Sequence, residues 1–320
     1  MTQVNVIIPL YGEHRARHVL KEVTESWLAQ EVACEVLLVT AGDIPVTVAS
    51  DIDGQRRVRV IRADPADQAP GLLRNVGAEQ ASAPLLYLSD ADIAPLGRDY
   101  LTRALRLAGK GVLAQPWMHR LTNGPLPLPA VECRPPEQKN RCFVAVAPDG
   151  VLHVRPGEEI LWKVPSSGDV QGETPRARLP REGEFPCDRP SEGATGNSAD
   201  RQEWCAPYHW GSMLLTRDLF RAVGGYCLQY AGWGGEDADL LVKVAARAPL
   251  TRGWQSDTSW RCLHFEHPAS HRGTPEHLAN NARYNARRAK GPESMIAQDL
   301  AWTSTPPPSA TSGCSDDLQP

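Results

Sequence analysis

The stretch Pro84–Asp92, PLLYLSDAD, decides how the first part of the chain is read. Pro84–Leu88 is a short apolar run, the pattern of a buried strand, and it runs straight into Ser89-Asp90-Ala91-Asp92. Before it, Pro70–Ala81 (PGLLRNVGAEQA) has helical spacing and Arg57–Arg62 (RVRVIR) alternates as a strand. Earlier still, Glu35–Thr40 (EVLLVT) is a strand closed by Ala41-Gly42-Asp43. Arg15–Gln30 sets Val19, Leu20, Val23 and Trp27 at helical spacing, and Val4–Leu10 (VNVIIPL) is an almost continuous apolar run. After the aspartates, Asp99–Ala108 is helical and Gly111–Gln115 (GVLAQ) is a further strand. Strands alternating with helices predict a doubly wound α/β sheet with right-handed crossovers. Ligands in such sheets bind beyond the carboxyl ends of the strands, where Pro9-Leu10-Tyr11, Asp43 and Asp90–Asp92 all fall.

The 320 residues have room for one large domain or two small ones. A net charge of −4 gives no global basic field for nucleic acid or an anionic membrane. The local cluster Arg283–Lys290 (RYNARRAK) reads as a solvated helix face. The N-terminal MTQVNVIIPLYGEH lacks the features of a signal peptide, and no apolar run approaches the ~20 residues of a membrane span. A cytoplasmic protein without a transmembrane segment is the expectation. Eight cysteines form no CxxC pair. Scattered reduced thiols are expected, with a structural zinc on Cys133, Cys142, Cys187 and Cys205 as the alternative.

From Leu121 to about Cys205 the chain changes character, rich in Pro, Gly, Glu and Arg, and an irregular insertion is expected. Within it, Arg141–Ala147 and Val151–Val154 read as a hairpin across Pro148-Asp149-Gly150. Regular structure resumes at Tyr208–Thr216, followed by a helix over Arg217–Val223. Ala231–Leu240, AGWGGEDADL, then leads into a helix over Asp237–Arg247, with Leu240, Leu241, Val244 and Ala248 on one face. Ser259–His267 and a polar helix around Pro275–Lys290 follow. The expected organisation is one domain over 1–290 and a disordered tail over 291–320, Ser/Thr/Pro-rich from Thr303 onward.

Three groups of residues carry candidate chemistry. Asp90 and Asp92 straddle a strand end, so one can face a divalent cation while the other faces a sugar hydroxyl; hard cations on diphosphates take such oxygen ligands. His264 and His267 (HFEH) offer imidazole ligands suited to manganese or zinc, although two surface histidines would look the same. Glu236 and Asp237 open a helix after glycines. Acidic residues there also serve simply as a dipole-matched cap.

Together these pieces resemble the GT-A fold glycosyltransferases of the family-two type. The C-terminal part resembles the module shared by animal β-1,4-galactosyltransferases and bacterial chondroitin-type polymerases. The matching residues are Val6–Tyr11, Leu73-Arg74-Asn75-Val76-Gly77, Asp90-Ala91-Asp92, Val223-Gly224-Gly225-Tyr226, Gly232-Trp233-Gly234-Gly235-Glu236-Asp237 and Arg261–His267. The resemblance implies a Rossmann-like mixed sheet flanked by helices, with residues 1–120 as the nucleotide-sugar half and 206–290 as the acceptor half. It implies that Pro9 and Tyr11 line the base and ribose. Arg74 would reach the nucleotide or its diphosphate, Asp90 the ribose or sugar, and Asp92, His267 and His264 the metal, Mn2+ or Mg2+. Asp237 would be the catalytic base, with Glu236 and Trp233 positioning a sugar and Gly234 and Gly235 letting the backbone approach it. The second strand of the family ends in an acidic pair, whereas here only Asp43 is present and displaced. The implied reaction is inverting transfer from a nucleotide-sugar, with a UDP-sugar expected, to a glycan or small-molecule hydroxyl. A nucleotidyltransferase would share the acidic α/β site, but Pro9–His14 (PLYGEH) is not a basic phosphate loop. A non-catalytic carbohydrate-binding protein is the third reading, and the intact acidic residues weigh against it.

Overall fold

The computed structural model describes residues 2–11, 20–42, 56–64, 69–122, 130–133, 142–145, 159–161, 176–178, 208–257, 260–265 and 274–303. Its centre is a seven-stranded sheet. In chain order the strands are β1 (Val4–Leu10), β2 (Cys34–Thr40), β3 (Val58–Arg62), β4 (Leu85–Leu88), β6 (Val112–Ala114), β12 (Met213–Thr216) and β13 (Leu250–Arg252). Across the sheet they run β13-β6-β12-β4-β1-β2-β3. All pairings are parallel except those of β12, which runs antiparallel to both β4 and β6. The fold is thus the mixed, mostly parallel α/β sheet expected, with one reversed strand near its middle.

The apolar runs are continuous because both faces of the sheet are covered. Val4, Val6, Ile8 and Leu10 of β1 pack with α1 (Leu20–Leu28) and α3 (Tyr100–Ala108) on one face. Ile7 joins Leu37, Val39 and Leu88 beneath α2 (Pro70–Gln80), α4 (Arg217–Ala222) and α5 (Glu236–Ala245) on the other. α2 lies very close to the sheet. A β-carbon on Gly77 would stand 2.5 Å from Ile7 Cγ2 and 3.0 Å from Val39 Cγ2.

A second sheet, β5-β14-β7-β8-β9, shares the core on the α1 and α3 face of the first, through Ile93, Ala94, Met118, Cys262 and Leu263. Its strands are β5 (Ile93–Pro95), β7 (Trp117–Thr122), β8 (Ala130–Cys133), β9 (Cys142–Ala145) and β14 (Arg261–Phe265), while β10 (Glu159–Leu161) pairs separately with β11 (Arg176–Arg178). β9 pairs antiparallel with β8, which precedes it, a partner the sequence reading passed over because Ala130–Cys133 is short and set among prolines. The expected partner Val151–Val154 lies outside the described residues, as do the side chains of Cys133, Cys142, Cys187 and Cys205.

The C-terminal expectation needs correcting. Residues 291–303 are not disordered: after α6 (Gly253–Ser256) and α7 (Pro275–Ala289), a helix α8 spans Pro292–Thr303. The reason is buried surface and charge. Met295 and Ile296 are in the core, and Asp299 pairs with Lys243 of α5 and Arg287 of α7. No helix among the described residues is long and apolar enough to cross a membrane.

Gly77→Ala should destabilise the protein by about 1–3 kcal/mol, because a methyl group there overpacks the α2–sheet contact. A urea midpoint equal to wild type would show that α2 does not bear on β1 so closely.

Candidate active site

The site is built around a buried guanidinium. Arg74 sits on α2 one turn before Gly77, so the close packing of that helix fixes where its side chain emerges at the strand ends. It is 1% exposed, bonded to Asp90 on one side and 3.1 Å from Asp237 Oδ1 on the other. It also donates to the Ser89 carbonyl and lies over the Tyr226 ring, 5.4 Å from the centroid. Three segments distant in sequence are held by this one charge. His209 completes the arrangement, with Nε2 3.0 Å from Asp90 Oδ2 and Nδ1 2.8 Å from Ser212 Oγ. Gly211 makes room, since a β-carbon there would lie 3.0 Å from the Arg74 guanidinium. Burial would raise the pKa of Asp90, but Arg74 and His209 outweigh it and hold that carboxyl down at about 2.

Tyr226 reaches the site through a side-chain clamp. Asn75, next to Arg74, donates to the Tyr226 carbonyl at 2.9 Å and accepts from its N–H at 2.8 Å. Gly225 takes a φ of +61°, and a β-carbon there would meet Asn75 Oδ1 at 2.5 Å. The Tyr226 hydroxyl then donates to Asp237 Oδ1 at 2.9 Å.

Glu236 and Asp237 form the first turn of α5, and Gly235, at φ +84°, precedes it. Asp237 is oriented by Arg74 and Tyr226 through one oxygen, on a side chain 19% exposed. Glu236 is more deeply placed, at 4% exposure, and its Oε2 makes no hydrogen bond among the described residues. Burial first, then the neighbouring Asp237, pushes the Glu236 carboxyl up to about 8. The glycines before it serve α7 as well as any ligand. Asn280 of α7 donates to the Ala231 and Trp233 carbonyls at 2.7 and 3.2 Å. A β-carbon on Gly234 would stand 2.7 Å from the His277 ring, which also packs against half-buried Trp233 at 5.0 Å.

Asp92 and His264 are brought together by the second sheet. β14 pairs with β5, and this places His264 opposite Ile93, next to Asp92. His264 Nε2 is 3.5 Å from Asp92 Oδ2, and Asp92 is buried. Two donor atoms at that separation can share a divalent ion at ligand distances near 2.1 Å, and an imidazole with a carboxylate suits manganese, so this pair fits the implied metal. Among the described residues no third ligand completes a cluster. His267 lies outside them, as does Asp43, so neither is placed. Pro9 and Tyr11 stand at the end of β1. The Tyr11 phenol is raised well above its ordinary pKa by burial and then by Asp90, Glu236 and Asp92, which puts it beside the same acidic group.

Tyr226, His209 and Ser212 are site residues that sequence reasoning did not assign. Tyr226 was visible as the end of a Gly-Gly turn, and His209 as a lone histidine before a strand. Neither carries a recognisable ligand spacing.

Comparison with known proteins comes from two directions. A family model described as the N-terminal domain of galactosyltransferase matches residues 196–268, the segment holding His209, Tyr226, Glu236, Asp237 and His264. No curated protein matches the chain. Among solved structures, GalNAc-T7 with UDP, GalNAc and Mn2+ aligns at 14% identity and a TM-score of 0.51, covering 90% of this chain and 48% of that one. The mannosyltransferase PcManGT from Pyrobaculum calidifontis, in complex with GDP-Man and Mn2+, aligns at 14% identity and a TM-score of 0.48, over 96% of this chain and 76% of that one. TarS from S. aureus aligns at 20% identity over 38% of this chain and 37% of that one, with a TM-score of 0.31. The chain thus spans less than half the length of TarS and GalNAc-T7. The fold is that of the GT-A glycosyltransferases, and the chain is glycosyltransferase-like in fold and in its matched segment.

The raised Glu236 carboxyl has a consequence for stability. Its folded pKa of about 8 lies above the ordinary carboxyl value of 4.5, so protonation favours the folded state. Its contribution is full below pH 4.5 and is lost as pH rises through about 8. Glu236→Gln should therefore flatten the fall in melting temperature across that range. An unchanged pH profile in the variant would show that Glu236 ionises normally.

Proposed function

We propose that this protein is an inverting, metal-dependent glycosyltransferase of the family-two type, carrying a galactosyltransferase-like GWGGED module. On this reading it moves a hexosyl or N-acetylhexosaminyl group from a UDP-sugar to a hydroxyl of a glycan or small molecule. The observation that carries the proposal is the bridge made by Arg74 from Asp90 at the end of β4 to Asp237 at the start of α5. It joins a donor-side carboxylate to an acceptor-side one in a single buried site.

Each residue then has a task. Pro9 and Tyr11 line the nucleotide at the end of β1, with Asp43 the residue for the base. Asp90, held ionised by Arg74 and His209, accepts hydrogen bonds from ribose or sugar hydroxyls. Asp92 and His264, with His267, would hold a manganese or magnesium ion, which when bound supplies charge neutralisation to the leaving diphosphate. Asp237 is the base: with Oδ1 engaged by Arg74 and Tyr226, Oδ2 is the oxygen that takes the acceptor proton as the hydroxyl attacks the anomeric carbon. One displacement inverts that carbon. Glu236, kept protonated by burial, donates a hydrogen bond to a sugar oxygen, and Trp233 offers a ring face beside it. Gly234 and Gly235 let the backbone come near the same sugar. In this scheme residues 1–120 bind the donor, 206–290 carry the base and the acceptor, and 121–205 shape acceptor choice.

Asp237→Asn keeps the shape of the carboxylate and should lower transfer by about 10²- to 10⁴-fold, while UDP still stabilises the protein in manganese. Loss of UDP binding as well would make Asp237 a structural residue. Asp92→Ala should abolish the dependence of UDP binding on manganese; a melting shift identical to wild type would remove Asp92 from the ligand set. No manganese-dependent shift with UDP or GDP in the wild-type protein would overturn the whole reading.

A further inference from the structure

We propose that Trp210 is the platform on which the acceptor saccharide lies, stacking one pyranose face on its indole; this rests on the glycosyltransferase reading above. Trp210 is 40% exposed, whereas Trp27, Trp117, Trp254 and Trp260 are 5% exposed or less. Exposed apolar side chains scattered singly are ordinary, and Val60, Leu228, Leu278 and Leu300 are of that kind. Trp210 differs in its neighbours. His209, immediately before it, contacts Asp90, and Gly211, immediately after it, abuts the Arg74 guanidinium. An exposed indole therefore stands one residue from each side of the buried charge centre.

Its position in the sheet gives the side. Tyr11 ends β1, in the half of the sheet formed by β1, β2 and β3. The Tyr208–Ser212 segment is attached to the opposite half, where His209 N–H donates to the Pro116 carbonyl and Gln115 N–H to that of Ser212. A ring resting on Trp210 therefore lies on the β6 side of the sheet, away from the strand that ends at Tyr11, and beside Asp90, which Arg74 joins to Asp237.

The indole is also held before any ligand arrives. Its ring packs edge-on against Tyr208 at 5.2 Å, and Tyr208 stacks on Trp254 at 5.2 Å and 20°. Tyr208 is buried, and Trp254 N–H donates to the Gln115 carbonyl. This row of three rings runs from the core to the surface, so little side-chain freedom is left to lose on binding. The C–H face of a pyranose on such a ring is both apolar burial and a contact to the negative face of the π-system. The polar side chains beside the ring that keep some exposure, His209 at 11% and Asp90 at 22%, favour a saccharide, with its rim of hydroxyls, over an apolar protein surface.

The test reads saccharide binding apart from donor binding. Saturation-transfer NMR would be recorded with methyl pyranosides of glucose, galactose, N-acetylglucosamine and glucuronic acid, with and without UDP and manganese. At least one glycoside should bind wild type. Trp210→Ala should weaken it roughly tenfold, and Trp210→Phe should keep most of the affinity. The control Leu228→Ala, equally exposed, should change nothing, and all three variants should keep the wild-type melting shift with UDP and manganese. Glycoside affinity unchanged in Trp210→Ala, or no glycoside binding to wild type, overturns the platform. A wild-type protein that binds glycoside through Trp210 yet shows no UDP–manganese shift supports the platform and sinks only the glycosyltransferase reading.

Discussion

A guanidinium with 1% of its surface exposed must be paired, because an isolated buried charge costs far more than a folded domain can supply. Arg74 meets that requirement with carboxylates from two distant segments, and the shape of the site follows from it. Asp90 is carried to it by β4, Asp237 by the first turn of α5, and Tyr226 covers it as a ring. The position of the charge depends in turn on Gly77, which lets α2 settle onto Ile7 and Val39. Removing one partner of such a buried pair typically costs about 3–5 kcal/mol.

A second set of buried charges holds α5 from behind. Asp239 accepts from Arg287 Nε at 2.6 Å and from the Tyr230 hydroxyl at 3.1 Å. Asp299 receives both Arg287 and Lys243, and Lys243 also donates to the Gly225 carbonyl. One network therefore ties α5, α7, α8 and the turn before Tyr226 together. Buried ion pairs contribute little net stability compared with apolar replacements, but they define geometry well when every partner is in place. Here the geometry defined is the angle at which Glu236 and Asp237 face Arg74.

Much of this was legible in the sequence, for a physical reason that also marks the boundary of what was not. Strands buried on both faces read as unbroken apolar runs, so β1, β2 and β4 stood out, and with β4 the two aspartates at its end. Asp92 and His264 were linked only through the resemblance to a known family, because two histidines three residues apart carry no signal of their own that separates ligands from surface residues. The short elements β5, β8 and β13 were passed over, since three or four residues carry too little periodicity to register. α8 was missed because its burial rests on Met295, Ile296 and a single buried aspartate, and that aspartate has meaning only once Lys243 and Arg287 are beside it. His209 and Tyr226 were hidden for the same reason: a residue whose role is to touch a distant side chain leaves no local spacing to read.

The adjacency of Glu236 and Asp237 is the feature that the sequence displays most openly and explains least. Two neighbouring carboxyls in a first helical turn would share one role if their surroundings were alike. They are not alike. The side chain of Asp237 turns towards Arg74 and Tyr226, which both engage Oδ1. Glu236 turns inward at 4% exposure, where burial and the charge of its neighbour favour the neutral acid. On the proposed reading these different surroundings give the pair different tasks: Asp237 takes a proton and Glu236 donates a hydrogen bond. Successive residues in the first turn of a helix point about 100° apart and so face different walls of the same site, and the three positive-φ glycines before them set where that turn begins.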